Sequence, residues 1–198
     1  KKEAPEYVFQ RTVSPEKAPN KPIVLTIEYK NGDPIKLNNK KLSPAKLLEK
    51  LNVIAGKNGI GRADLVENRF IGIKSRGVYE TPGGTVLLFA NRAIQSITLD
   101  KLTMHKNDEL MPKYAELIYN GYWFSKERLK LQKIIDSKKN KIRGKIKVKL
   151  YKGNVSILSR ISNSPIYSIK KVSFDENKTF NKKNVENFIK KHCKLLRK

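Results

Sequence analysis

One cysteine, Cys193, has no second thiol in the chain to pair with, which excludes an internal disulfide and suits a reducing, cytoplasmic setting. Two histidines beside it make no convincing set of zinc ligands, so no metal site is expected. Apolar runs are short: none approaches the ~20 residues that cross a bilayer. The first residues, KKEAPEYVFQR, lack the apolar stretch of a secretory signal, and no membrane association is expected. Also missing are a phosphate-cradling G-x-x-x-x-G-K-[ST] loop, a nucleophile triad, and paired carboxylates at an acid–base spacing. Acidic residues are scarce too, 18 against 43 Lys and Arg, for a net charge of +25.

Such a charge ordinarily points to nucleic acid, because neutralised phosphates release counterions. Its distribution argues otherwise. Nine of the 43 basic residues are Arg, the better bidentate reader of phosphates and base edges, and Lys is spread over every segment. The densest run, residues 138–149 (KKNKIRGKIKVK), holds no aromatic ring for base stacking. Abundant Lys, Asn and Ile fits compositional drift in an AT-rich genome, and nucleic acid is not the expected partner. What remains suffices for a fold. A chain of 198 residues can bury one sizeable core, and eight Tyr and seven Phe argue against disorder.

Hydrophobic periodicity changes along the chain. Residues 1–22 are rich in Pro and charge and read as an extended lead-in from an upstream segment. Ile23, Leu25, Ile27 and Tyr29 alternate as a strand, Asn31-Gly32-Asp33-Pro34 turns, and Ile35 to Leu37 returns, which predicts a hairpin. Ser43-Pro44 opens a helix with its apolar stripe on Leu47, Leu48, Leu51, Ile54 and Ala55, and Gly56 is its expected stop. Leu65-Val66 and Phe70 to Ile73 read as short strands on either side of Glu67-Asn68-Arg69. Helices are expected over Thr85 to Leu99, over Asp108 to Tyr119, and after a Ser125 cap. From Ile142 the period becomes two, with Lys145, Lys147 and Lys149 on a wet face, and Lys152-Gly153-Asn154 turns into a second hairpin. A last amphipathic helix is expected over Lys182 to Lys198, through Val185, Phe188, Ile189, Cys193 and Leu196. Strands and helices do not alternate strictly, which favours an α+β fold with antiparallel strands and hairpins.

Chemistry concentrates in residues 61–85, GRADLVENRFIGIKSRGVYETPGGT. Glu67 lies close in sequence to Arg62, Arg69 and Arg76. Two readings stand: structural ion pairs between strands, or a carboxylate kept ionised by arginine so that it receives a ligand ammonium. Tyr79 offers a phenol to a ligand, or is a core tyrosine with a satisfied hydroxyl. Ser75 is a ligand hydroxyl or a local turn-former. Thr81 and Pro82-Gly83-Gly84-Thr85 lead into a helix N-terminus, which either attracts an anion or is simply a tight turn. On residue types alone, the chain is an α+β domain with a candidate site for a zwitterionic small molecule.

Several phrases together resemble the argininosuccinate synthase family. They are Thr12 to Pro19 (TVSPEKAP), Leu42 to Leu51 (LSPAKLLEKL), Val66 to Arg69 (VENR), Lys74 to Gly84 (KSRGVYETPGG), Tyr114 to Ser125 (YAELIYNGYWFS) and Leu150 to Gly153 (LYKG). The resemblance runs from the Pro5 region to the C-terminus. It implies an ATP-dependent ligase of arginine biosynthesis that joins citrulline to aspartate, releasing AMP and pyrophosphate. The glutamate of VENR and the tyrosine of RGxYE bind citrulline in that family, which carries those roles to Glu67 and Tyr79, with Arg62, Arg69, Ser75, Arg76 and Thr81 as candidate supports.

This chain lacks the family's S-G-G-x-D-[ST] nucleotide loop, and so resembles the C-terminal synthetase and multimerisation part. The expected organisation is a lead-in (1–22) from an absent N-terminal domain, a synthetase domain (23–180) and an oligomerisation helix (181–198). ATP, with Mg, is expected on the absent domain and not on this chain, which alone is expected to be inactive. The partners implied are citrulline, aspartate, ATP, the nucleotide-binding domain and further copies of the chain, a tetramer in the family. The alternative is a basic nucleic-acid-binding module or a non-catalytic oligomerisation module derived from the same domain.

Overall fold

The computed structural model describes residues 2–167 together with residues 183, 185–187, 189, 190 and 193. The chain divides into two compact units, Lys1–Ile166 and Tyr167–Lys198. In the first, a five-stranded antiparallel sheet has the order β3-β2-β1-β6-β7, formed by β1 (Ile23–Lys30), β2 (Asp33–Leu37), β3 (Lys40–Lys41), β6 (Gly144–Tyr151) and β7 (Asn154–Ile161). Alternation selects its inner face. Leu25, Ile27 and Tyr29 of β1 and Ile146, Val148 and Leu150 of β6 are buried, whereas Lys145 and Lys147 between them are exposed. Three of the seven basic residues in 138–149, Lys145, Lys147 and Lys149, thus belong to the outer side of a strand, and the other four precede it.

Two helices cover that inner face. Helix α1 (Pro44–Lys57) is capped by Ser43, whose Oγ accepts from the Lys46 N–H, and it buries Leu47, Leu51 and Ala55. Helix α2 (Pro82–Thr98) buries Val86, Ala90, Ala93, Ile94 and Ile97, and starts three residues before the expected Thr85. Burying some twenty apolar side chains in this one layer supplies the main folding drive, at roughly 1.5–3 kcal/mol for each large residue. Gly56 does not stop α1, which runs on to Lys57 and an Asn58 cap. A side chain at Gly56 would meet the Arg11 carbonyl oxygen at 2.2 Å, so this glycine admits the lead-in, and the left-handed turn falls to Gly59 (φ +71°).

Beyond this core lie α3 (Lys101–Tyr119), α4 (Lys126–Asp136) and a separate two-stranded ribbon, β4 (Arg62–Asn68) with β5 (Lys74–Glu80). The ribbon differs from expectation. Phe70 to Ile73 is its turn and not a strand, and Glu67 lies within β4, not between strands. Helix α3 begins seven residues before Asp108, because Asp100 caps it through both the N–H and the hydroxyl of Thr103. In the second unit the described residues after Tyr167 are helical, with Lys190 paired to Glu186. The rest of the expected C-terminal helix, Phe188 and Leu196 included, lies outside the described residues. No helix among the described residues is long and apolar enough to cross a membrane.

Candidate functional site

The register of the ribbon sorts its polar residues onto two faces. Directly opposed residues in an antiparallel pair share a face, and neighbours along each strand alternate. Glu67 opposes Ser75, Leu65 opposes Gly77, and Ala63 opposes Tyr79, so these six lie on one face. Arg62 with Glu80, Asp64 with Val78, and Val66 with Arg76 lie on the other. Of the candidate supports, only Ser75 and Arg69 therefore join Glu67 and Tyr79.

The Glu67 side chain is 10% exposed and accepts hydrogen bonds on both of its carboxylate oxygens. Tyr79 Oη donates to Oε1 at 2.7 Å, Arg69 Nη2 stands 3.2 Å from the same oxygen, and the Ser75 hydroxyl lies 3.5 Å from it. Arg69 Nε also donates to Ser75 Oγ at 2.7 Å, locking both side chains beside the carboxylate. On the other oxygen, Tyr119 Oη of α3 donates to Oε2 at 3.1 Å. Tyr79 reaches Glu67 by laying its ring along the strand over Gly77, where a Cβ would meet Cε2 at 2.4 Å and Oη at 2.7 Å. These contacts set the charge state. The Tyr79 hydrogen bond holds the Glu67 carboxyl below its ordinary 4.5; partial burial opposes this, and Tyr119, Arg69 and Ser75 add to the lowering. Reciprocally, the bond to Glu67 raises the Tyr79 phenol, so at neutral pH the pair is carboxylate and neutral phenol.

Glu67 opens onto a cleft of about 640 Å³ between the ribbon turn and α3, lined by Glu67, Asn68, Arg69 and Phe70 on one wall and Pro112, Ala115, Glu116, Tyr119 and Asn120 on the other. Two carboxylates and one guanidinium in one cleft give separate places for an ammonium and a carboxylate, the two ends of an amino acid.

The remaining candidates have other work. Arg62 makes a bidentate pair with Glu6 at 2.8 and 2.7 Å, donates from Nε to Thr12 Oγ1 at 2.8 Å, and lies over the Phe9 ring. Next to it, Glu80 accepts from the backbone N–H groups of Gln10, Arg11 and Thr12 and from the Thr12 hydroxyl. The lead-in is thus bolted to the root of the ribbon. Arg76 pairs with Asp64 and donates to the Lys2 carbonyl. Thr81 is the residue before α2, its hydroxyl beside that of Thr85. At the helix start Pro82 has no N–H, Gly83 donates to Asn52 Oδ1 at 2.9 Å, and Thr85 donates to the Thr81 carbonyl, which leaves few first-turn donors for an anion. Tyr119 and Gly77 carry no role in the sequence reading. Both lie inside recognised phrases, YAELIYNGYWFS and KSRGVYETPGG, but neither has a residue-type signal that separates it from a packing tyrosine or a strand glycine.

A family model described as the arginosuccinate synthase C-terminal domain matches residues 1–197. The chain is 73% identical over 197 residues to a Pelagibacter ubique protein named argininosuccinate synthase, covering 100% of this chain and 50% of that one. Proteins of the same name from Caulobacter vibrioides and Brucella anthropi are 53% and 54% identical over 196 residues, 98% of this chain and 48% of each. The chain spans about half the length of the curated relatives it matches.

Proposed function

The chain belongs to the argininosuccinate synthase family, as its C-terminal domain, and on that premise we propose that it supplies the citrulline-binding part of a composite ligase site. The Glu67 carboxylate receives the α-ammonium of citrulline, Tyr79 fixes that carboxylate and presents its phenol to the same end of the ligand, and Arg69 and Ser75 brace the pair. The observation that carries this reading is one ionised carboxylate, hydrogen-bonded on both oxygens, at the edge of a cleft that also holds a guanidinium.

In the reaction proposed, the ureido oxygen of citrulline attacks the α-phosphate of ATP, forming citrullyl-adenylate and expelling pyrophosphate. The aspartate amine then adds to the activated carbon and AMP departs, leaving argininosuccinate. Among the described residues, no Gly-rich loop is built to cradle a triphosphate. Positioning ATP with its Mg therefore falls to a nucleotide-binding N-terminal half, and the chain alone turns nothing over. The working enzyme is read as a cytoplasmic homo-oligomer, a tetramer as in the family.

The test joins this chain to the N-terminal half of the Pelagibacter ubique relative and measures citrulline-dependent pyrophosphate release. Glu67→Gln keeps the shape and removes the charge, so the citrulline KM should rise at least tenfold while the ATP KM holds. Absence of citrulline-dependent release from the folded chimera, or an unchanged citrulline KM in Glu67→Gln, refutes the assignment. The latter result is the one a purely oligomerising module gives.

A further inference from the structure

The acceptor positions on Glu67 are divided unequally. Three donors from the ribbon, Tyr79, Arg69 and Ser75, converge on Oε1. Oε2 takes a hydrogen bond from Tyr119, and a carboxylate oxygen has two lone pairs. One acceptor position therefore remains on the oxygen whose partner also lines the cleft. We propose that Tyr119 is a positioning residue for citrulline: from the end of α3 it fixes the rotation of the Glu67 carboxylate, so that the open lone pair of Oε2 faces the ligand ammonium. This deepens the citrulline reading and rests on it.

The placement of Tyr119 supports the role. It is the last residue of α3, and the turn behind it is fixed by three backbone hydrogen bonds: Asn120 to Glu116, Gly121 to Ile118 and Tyr122 to Leu117. Gly121 takes φ +82°, a conformation that closes the helix tightly. Three residues beyond Tyr119, the Tyr122 ring meets the Phe70 ring of the ribbon turn edge-on, with centroids 6.1 Å apart. The tip of the ribbon is thus held to the end of α3 by one aromatic and one polar contact. Glu67's other hydrogen-bonding partners move with the ribbon, so only the Tyr119 bond reports the ribbon-to-helix distance to the carboxylate. Without it, rotation about the Glu67 side chain is limited from the Oε1 side alone.

Tyr119→Phe removes the hydroxyl and keeps the ring. In the chimera the citrulline KM should rise about three- to tenfold, with the aspartate and ATP KM values and kcat at saturating citrulline within about twofold. A second readout uses the chain by itself. Glu67 is faced by Tyr79 and Ser75 of β5, Arg69 of the turn, and Tyr119 and Glu116 of α3, and losing one donor to the carboxylate should move its NMR-detected titration upward. Both effects together support the inference. A Tyr119→Phe citrulline KM equal to the parent, beside a raised one in Glu67→Gln, overturns the positioning role and leaves the citrulline site standing. An unchanged Glu67→Gln overturns the site and the inference with it. A lowered melting temperature with all three KM values raised alike means that Tyr119 merely packs, and overturns the role as well.

Discussion

Replacing Gly77 by alanine separates the site from the stability of the domain. Gly77 lies in regular strand backbone without a left-handed φ, so alanine fits the main chain, and a shorter list of unfolded conformations stabilises by about 0.4–1 kcal/mol. The cost appears elsewhere. The new methyl would stand 2.4 Å from Tyr79 Cε2, 2.8 Å from Cζ and 2.7 Å from Oη. Carbon atoms pack at about 3.5–4 Å, so the ring must retreat by roughly 1 Å. The 2.7 Å bond to Glu67 Oε1 then stretches beyond hydrogen-bonding range. Tyr79 is half-exposed and free to swing outward, so the fold absorbs the change and the site does not. A displacement near 1 Å at a ligand-orienting group should raise the citrulline KM of the chimera about tenfold, and by no more than about a hundredfold. Tyr79→Phe should give a similar rise, and the double variant should add nothing to it, since both act through one hydroxyl. Steady-state pyrophosphate release and a melting curve read both quantities. Additive effects, or an unchanged citrulline KM in Gly77→Ala, would refute the geometry.

Glu80→Ala should do the opposite, lowering stability first. The Gln10 and Arg11 N–H groups can turn to water, but the part-buried Thr12 N–H and hydroxyl lose their acceptor, costing about 2–4 kcal/mol; for a unit of this size that is about 5–15 °C in melting temperature. The pH dependence has a definite sign. Burial pushes the Glu80 carboxyl up, but the Thr12 hydroxyl and three backbone N–H groups outweigh it and the folded value falls below 4.5. The stabilisation is therefore full at neutral pH and is lost as pH falls below 4.5 through the folded value, so melting curves of parent and variant should converge in acid. Arg76→Ala, on the opposite ribbon face, should leave the citrulline KM within about twofold and the melting temperature within about 3 °C; a larger KM change would mean that the two faces are not independent.

What could be read from sequence follows from what is buried. The β1 alternation, the Ser43 cap and the α2 stripe all face the core, and each shows in the spacing of Leu, Ile and Val. The pairing of β1 with β6, Ile27 opposite Ile146, joins segments more than a hundred residues apart, and no local pattern encodes it. Helix α3 has no buried residue, so its first two turns leave no stripe, and only the Asp100 cap marks its start. Phe70, Ile71 and Ile73 misled for the converse reason. They have the composition of a strand, yet at 66%, 76% and 56% exposure they form a turn outside any core. In the proposed site, the family phrases single out Glu67 and Tyr79, and the strand register then explains why Ser75 lies on their face and Arg76 does not. Tyr119 comes from another element, and only the folded chain brings it to the carboxylate.

Placing the proposed citrulline site on a ribbon outside the main sheet has a mechanical consequence. Near its root the ribbon is tied to the lead-in by Arg62 and Glu80, and near its tip to α3 by Glu67–Tyr119 and Phe70–Tyr122. Glu67 sits one residue from the end of β4 and Tyr79 one residue from the end of β5, so the carboxylate is positioned from the tip and the phenol from the root. Their single hydrogen bond closes only when both anchors hold. Loosening the root should therefore weaken the citrulline site even though no root residue lines the cleft, and Glu80→Ala carries that second expectation: a raised citrulline KM at temperatures well below its melting point. A normal KM there would show that the two strands alone hold Tyr79 in register, and that the lead-in contributes stability and nothing to recognition.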